Sequence, residues 1–277
     1  MKTSYSKIGS FWFCPKCYEY RYVLECAAPP KPEPVFGKSL HAALELNFEQ
    51  KTKTRQDLPA EEIVAHFKKE LDEGLKAVPE ESLRKKSTEY HYLMRMGEQL
   101  LREFMERRAP SLQPSPRGVE CRFKLPLPED HEITGVFDLL DTNWVLHDFK
   151  TSSKPYHRSR ADKTQLIIYA WACQHLFGRS PKELVFDVFI KGDGEDGFIG
   201  LQDPVVFPTP AQTDMARVAE RLVQKINTIL ETQENKNFVR SFNPGRCHWC
   251  EYQAACEDDW HKSGEPAPVR LASDGLV

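Results

Sequence analysis

Gly135-Val136-Phe137-Asp138, followed by His147-Asp148-Phe149-Lys150, is the stretch on which the reading of this chain turns. Around the turn Asp141-Thr142-Asn143 it reads as two short strands, Glu132–Leu140 and Asn143–Phe149, rich in β-branched and aromatic residues that nearly alternate with polar ones. Residues two apart in a strand share a face, so Asp148 and Lys150 should emerge side by side. If the two strands pair through the turn, Asp138 approaches the same edge. Two carboxylates at that distance repel each other unless a hard divalent cation bridges them. A lysine beside them can hold or polarise a water. Asp and Lys two apart also occur on many solvated strand faces, so this spacing alone leaves both readings open.

Working outward, Gly118–Leu125 reads as a third strand, separated by the turn Pro128-Glu129-Asp130, and the three suggest an antiparallel meander. A helix is expected over Asp162–Leu176 and a buried strand over Glu183–Lys191. Beyond the turn Gly192–Gly197, Phe198–Leu201 reads as an edge strand, and Thr209–Thr232 as a long helix. Toward the N-terminus, Ile63, Phe67, Leu71 and Leu75 recur on one helical face, as do Leu93, Met96, Leu100, Leu101 and Phe104. Three proline-rich stretches, Pro29–Pro34, Pro110–Pro116 and Pro204–Pro210, read as connectors. The result is an α/β chain. Its expected parts are a mostly helical region over 1–110, the core over 111–240, a cysteine-rich segment over 241–261 and a flexible tail over 262–277.

The 277 residues are 40% hydrophobic and 29% charged, which excludes a wholly disordered or collagen-like chain. No apolar run approaches the ~18 residues of a membrane span. Met1–Ser10 has no apolar core of signal-peptide length, so the chain is expected to be cytoplasmic. With a net charge of −3, a nucleic-acid partner would need a local basic groove. Lys150–Lys163 offers one: Lys150, Lys154, Arg158, Arg160 and Lys163 stand against the single acid Asp162, with Tyr156 and His157 available to stack on bases. A solvated loop is the competing reading.

Eight cysteines are present, and in a reducing compartment they are thiols or metal ligands. Cys26, Cys121 and Cys173 are isolated and read as buried reduced thiols. Cys247-x2-Cys250-x5-Cys256 is dense enough to argue for metal. One reading is zinc, with Cys14-x2-Cys17 pairing with Cys247-x2-Cys250. The other is an iron–sulfur cluster on one early cysteine and the three late ones.

Taken in order, these pieces resemble the PD-(D/E)XK nuclease superfamily over about residues 5–256. Gly135–Asp138 resembles the first acidic motif and Asp148-Phe149-Lys150 the (D/E)-x-K motif. Gln165-Leu166-Ile167-Ile168-Tyr169 is similar to the Q-x-x-x-Y helix of the RecB-like branch, and Gly37–His41 to the helix bearing its metal-binding histidine. The resemblance implies a restriction-endonuclease-like core: a central mixed β-sheet flanked by helices, with a helical N-terminal region and a C-terminal cap. It implies metal ligation by His41, Asp138, Asp148 and the carbonyl of Phe149, with Lys150 activating the water and Gln165 and Tyr169 completing the site. The metal would be Mn²⁺ or Mg²⁺, the histidine favouring Mn²⁺. Glu120, on the preceding strand, is a weaker candidate. Iron–sulfur members of this branch, the AddB-type and CRISPR-adaptation exonucleases, imply a 4Fe-4S cluster on Cys14, Cys247, Cys250 and Cys256, with Cys17 outside the pattern. The implied activity is hydrolysis of DNA, as an exonuclease on single-stranded ends. The alternative is an accessory DNA-end-binding subunit of a larger complex.

Overall fold

The computed structural model describes residues 1–85, 88–159, 161–192, 198–241, 243, 245, 247 and 250–263. Arg160, residues 193–197 of the expected turn and the tail from 264 onward lie outside the described residues. The chain divides into two compact units, which interleave along the sequence.

The larger unit comprises 30–124 and 135–218. Its helices α3 (Pro32–Thr54), α4 (Ala60–Leu75) and α5 (Tyr90–Arg107) form where the apolar period predicts them. Pro32 sits in the first turn of α3, where its missing N–H costs nothing. Arg55, in the left-handed region at φ 61°, ends that helix. The apolar faces of the three helices bury Phe36, Leu40, Phe48, Phe67, Leu100 and Phe104 in one core with Phe149 and Phe189 of the sheet. Burial stabilises by about 1.5–3 kcal/mol for each such side chain.

The sheet is built from β2 (Pro114–Leu127), β3 (His131–Asp141), β4 (Val145–Ser152), β5 (Glu183–Lys191), β6 (Ile199–Leu201) and β7 (Val205–Pro208). β2 pairs with β3, and β3 runs antiparallel to β4 with Leu139 opposite His147. β4 and β5 are parallel from Val145↔Glu183 to Ser152↔Ile190. Parallel neighbours need a crossover, and α6 (Thr164–Phe177) supplies it, ending at Gly178 with φ 70°. The sheet is therefore mixed.

Val205–Pro208, expected as a connector, is instead the strand β7 along β5, from Glu183↔Pro208 to Phe186↔Val205. Val205 and Phe207 are buried while Val206 and Pro208 face out, and a proline is tolerated at the end of such a strand because no donor is needed there. In all three proline-rich stretches a proline bounds an ordered element rather than marking a loop: Pro32 opens α3, Pro114 opens β2 and Pro208 closes β7.

The smaller unit comprises 1–29, 125–134 and 219–277. A short strand, β1 (Lys2–Ser4), lies parallel to the first residues of β3, with Lys2 opposite Glu132. Ser4 caps α1 (Tyr5–Phe13), its hydroxyl accepting the Lys7 N–H at 3.1 Å. α2 (Pro15–Tyr22) follows at once. α7 (Gln212–Asn235) enters this unit at residue 219, and α8 (Gln253–Ser263) lies near the end of the described chain. Among the described residues no helix is long and apolar enough to cross a membrane.

Candidate active site

Alternation along β4 sends its residues in opposite directions. Phe149 enters the helical core, stacked on Phe48 with centroids 5.8 Å apart and edge-on to Phe104 at 5.7 Å. That anchor fixes the strand's height, and with it the Phe149 carbonyl. Asp148 and Lys150 take the other side, where Lys150 Nζ donates to Gln165 Oε1 of α6 at 3.0 Å. Gln165 Nε2 donates in turn to Tyr169 Oη at 2.6 Å. The Tyr169 ring is held by Phe123 and Phe137 at 5.8 and 6.2 Å.

Asp138 arrives from β3, and its Oδ2 accepts the Phe149 N–H at 2.6 Å. His41 comes from α3, with Nε2 2.9 Å from the Phe149 carbonyl oxygen and Nδ1 3.6 Å from Asp138 Oδ1. Glu120 completes the group: one ligand atom each from His41, Glu120 and Asp138 lie within 4.8 Å of one another. Glu120 sits in the left-handed region at φ 43°. For a non-glycine residue that conformation costs about 1–3 kcal/mol, and it persists only where its surroundings enforce it. Buried and exposed residues alternate regularly along β2 only from Phe123 onward, and Glu120 lies in the irregular stretch before it.

The electrostatics are those of crowded acids. Asp148 is 2% exposed, and its Oδ2 is ion-paired with Lys150 Nζ at 2.6 Å. Burial, then the charge of Asp138, push Asp148 up to about 7 against the pull of Lys150 and His41. Burial, then Asp138 and Glu45, raise Glu120 to about 7 as well. Burial disfavours charge on His41, but Asp138, with Asp148 and Glu120 behind it, outweighs that and pushes it up to about 9. Burial first, and then the Asp148 and Asp138 charges, push the Tyr169 phenol far up, so it stays protonated.

Sequence reading missed a second buried network on β4 and β5. His147 Nδ1 lies 2.7 Å from Asp187 Oδ2, and Arg108 Nε donates to Asp187 Oδ1 at 2.7 Å. Burial opposes the Asp187 charge, but His147 and Arg108 outweigh it and keep the carboxyl below its usual range. The available signal was an aspartate inside the apolar run Glu183–Lys191, since a buried carboxylate needs partners.

The basic loop is only partly as expected. Lys154 is exposed, and Arg158 and Lys163 lie over the Phe207 ring at 5.7 and 5.3 Å. Tyr156 is not poised to stack on a base. It packs edge-on against Phe186 at 5.5 Å, and the Gln202 side chain bonds both its N–H and its carbonyl at 2.7 Å.

Within the smaller unit, Cys14, Cys250 and Cys256 pack around the buried Cys17, Tyr20 and Tyr252. Cys247 lies close enough for the charges of Cys14 and Cys250 to help raise its thiol, after burial. Of the three isolated thiols expected to be buried, only Cys173 is; Cys121 is half-buried, and Cys26 is exposed.

A mixed sheet with a helical crossover, and a lysine beside two acids at its strands, define the class as an α/β nuclease fold. The chain belongs to the PD-(D/E)XK nuclease superfamily, whose family model matches residues 2–257. A crystal structure described as a "putative exonuclease" from Eubacterium rectale is similar in fold, with a TM-score of 0.55 at 10% identity over 99% of this chain and 93% of that one. The crystal structure of SSO0001 aligns over 56% of this chain and 60% of that one, at 15% identity and a TM-score of 0.31. Among curated proteins nothing matches the chain.

Proposed function

We propose that this chain is a divalent-metal-dependent DNA nuclease, acting as an exonuclease on single-stranded ends, and that its site is the group on β2, β3, β4 and α3. The observation that carries the reading is convergence. His41, Glu120 and Asp138 come within ligand distance of one another, and His41 and Asp138 both touch the backbone of Phe149, between Asp148 and Lys150. The donor set suits a cation: oxygen ligands with one imidazole nitrogen fit Mg²⁺ or Mn²⁺. The crowding of Asp148, Asp138 and Glu120, with Asp148 and Glu120 both raised to about 7, is an excess of negative charge that a divalent ion would offset. His41, Asp138, Asp148 and the Phe149 carbonyl would hold it, with Glu120 as a further ligand.

A divalent ion held there would lower the pKa of a water and neutralise charge on the scissile phosphate. Lys150 orients the attacking water and stabilises the charge that develops. Gln165 fixes the ammonium, and Tyr169 fixes Gln165. Lys154, Arg158, Arg160 and Lys163 would carry the phosphates of the incoming strand. Incubating the purified chain with Mn²⁺ and end-labelled single-stranded DNA tests this. Progressive shortening from an end is expected, and intact DNA with every divalent ion tried contradicts it.

The thiols of the smaller unit fit a 4Fe-4S cluster held by Cys14, Cys247, Cys250 and Cys256. Cys14, Cys250 and Cys256 gather around one aromatic pair with Cys247 near Cys14 and Cys250, and the C-x2-C-x5-C spacing uses Cys256, which zinc on two Cys-x2-Cys pairs leaves idle. Such a cluster would close a loop of more than 200 residues and so restrain the unfolded chain. A site of thiolates suits the reducing cytoplasm.

A further inference from the structure

The basic loop that follows β4 is gripped by a side chain from elsewhere in the sequence. Tyr156 belongs to no helix or strand, so its backbone N–H and carbonyl must be satisfied outside a ladder. The Gln202 amide meets both. Its Oε1 accepts the Tyr156 N–H at 2.7 Å, and its Nε2 donates to the Tyr156 carbonyl at 2.7 Å. A side-chain amide carries an acceptor and a donor, so it can pair with one residue's backbone as a neighbouring strand would. Gln202 is itself anchored: it follows β6 directly, and its N–H donates to the Val188 carbonyl of β5 at 3.0 Å.

Rings and cations are arranged around that grip. Tyr156 lies edge-on to Phe186 at 5.5 Å, and Phe186 edge-on to Phe207 at 5.7 Å. Lys150 Nζ stands 5.6 Å from the centre of the Phe186 ring. Arg158 and Lys163 stand over Phe207 at 5.7 and 5.3 Å, and both are exposed. A cation held over a ring keeps N–H donors for an anion, while the ring restricts where it sits. Two touching rings thus carry Lys150 at one and the loop's cations at the next. All of these residues belong to the larger unit.

We propose that Gln202 is a positioning residue for the substrate strand. It clamps the basic loop at Tyr156 onto this row of rings, so that Arg158 and Lys163 are set in advance to hold a backbone phosphate neighbouring the one at Lys150. The proposal rests on the nuclease reading above and deepens it. A loop ordered before binding loses less entropy when the strand docks, so the clamp acts on affinity rather than on bond cleavage.

The test compares the full chain with Gln202→Met, which keeps the reach of the side chain and removes both polar groups. Cleavage of end-labelled single-stranded DNA in Mn²⁺ gives KM and kcat. Metal-free binding of the same strand, followed by fluorescence anisotropy, gives Kd, and thermal melting checks the fold. KM and Kd are expected to rise about fivefold, equivalent to one net hydrogen bond of loop ordering. The kcat and melting temperature should stay close to the parent's. Tyr156→Ala, which loosens the loop from its own side, should raise KM and Kd in the same way. In an Arg158→Ala, Lys163→Ala background, Gln202→Met should have almost no further effect, because the side chains it positions are gone. Parent-like KM and Kd in either variant would overturn the proposal. So would a loss that persists undiminished in the double-alanine background, or one that falls on kcat alone. A parent chain that neither binds nor cleaves single strands refutes the substrate reading and the proposal with it, whereas the other failures leave that reading standing.

Discussion

The two groups of proposed metal ligands are assembled in different ways. The acidic site is gathered from α3 and three strands, and its parts are held from behind: Phe149 by the aromatic core, Gln165 by Tyr169, Asp138 by a backbone N–H. The thiol site is gathered from the two ends of the chain, residues 14–17 and 247–256, around two tyrosines. Remove the ligands of the first and the core beneath it remains. Remove those of the second and the packing of residues 14–17 against 250–256 is weakened directly. The difference suggests that the first site was built for chemistry at a cost in charge repulsion, and the second for holding the chain together.

The largest effect should fall on chemistry without architecture. Lys150→Ala is expected to reduce hydrolysis on the order of 10²–10⁴-fold, the span usual for a positioned proton-transfer group, while calorimetry finds Mn²⁺ affinity little changed. Abolished metal binding in that variant would assign Lys150 to the ligand shell and blur the comparison.

Phe149→Ala should do the reverse. Only its carbonyl faces the ligands, yet chemical denaturation should show a loss of about 3–5 kcal/mol, because the ring fills the space between Phe48 and Phe104. Cys256→Ser should lose the iron and lower the melting temperature, with cleavage per folded molecule retained below the transition. Loss of cleavage at full folding would tie the two regions together.

The pH dependence sharpens the contrast further. Asp148 and Glu120 are raised to about 7 and His41 to about 9, so protons must leave before a cation binds. Mn²⁺ affinity should climb through pH 7 and more gently toward 9. An acid raised in the folded state contributes instability that grows as pH rises from its unfolded value to its folded one. Metal-free Asp148→Asn should therefore melt like the parent near pH 4 and at least as high as the parent above pH 7. The smallest effect belongs to the loop. Replacing Lys154, Arg158 and Lys163 by Ala should flatten the salt dependence of single-strand binding by about 0.7 in slope for each phosphate no longer neutralised.

Much of this was legible because it is local. Asp148 and Lys150 share a face by strand geometry, and Gln165 and Tyr169 by helix geometry, so spacing sufficed. The strand Glu183–Lys191 was readable to the residue from its apolar run. What escaped depends on pairing across the sheet. Nothing near Glu120 announces a left-handed residue beside His41 and Asp138, and the Arg108–Asp187–His147 network needs the β4–β5 register. Strand β7 was hidden because proline reads as a breaker, while an edge strand accepts it at its end.

The central claim is that the acids on β3 and β4 are catalytic rather than structural, and Asp148→Asn tests it most directly. The cleavage rate of end-labelled single-stranded DNA in saturating Mn²⁺ is measured beside the parent, with thermal melting of the same samples. The account predicts a fully folded variant whose cleavage falls by orders of magnitude. A folded Asp148→Asn chain that cleaves as fast as the parent would contradict it.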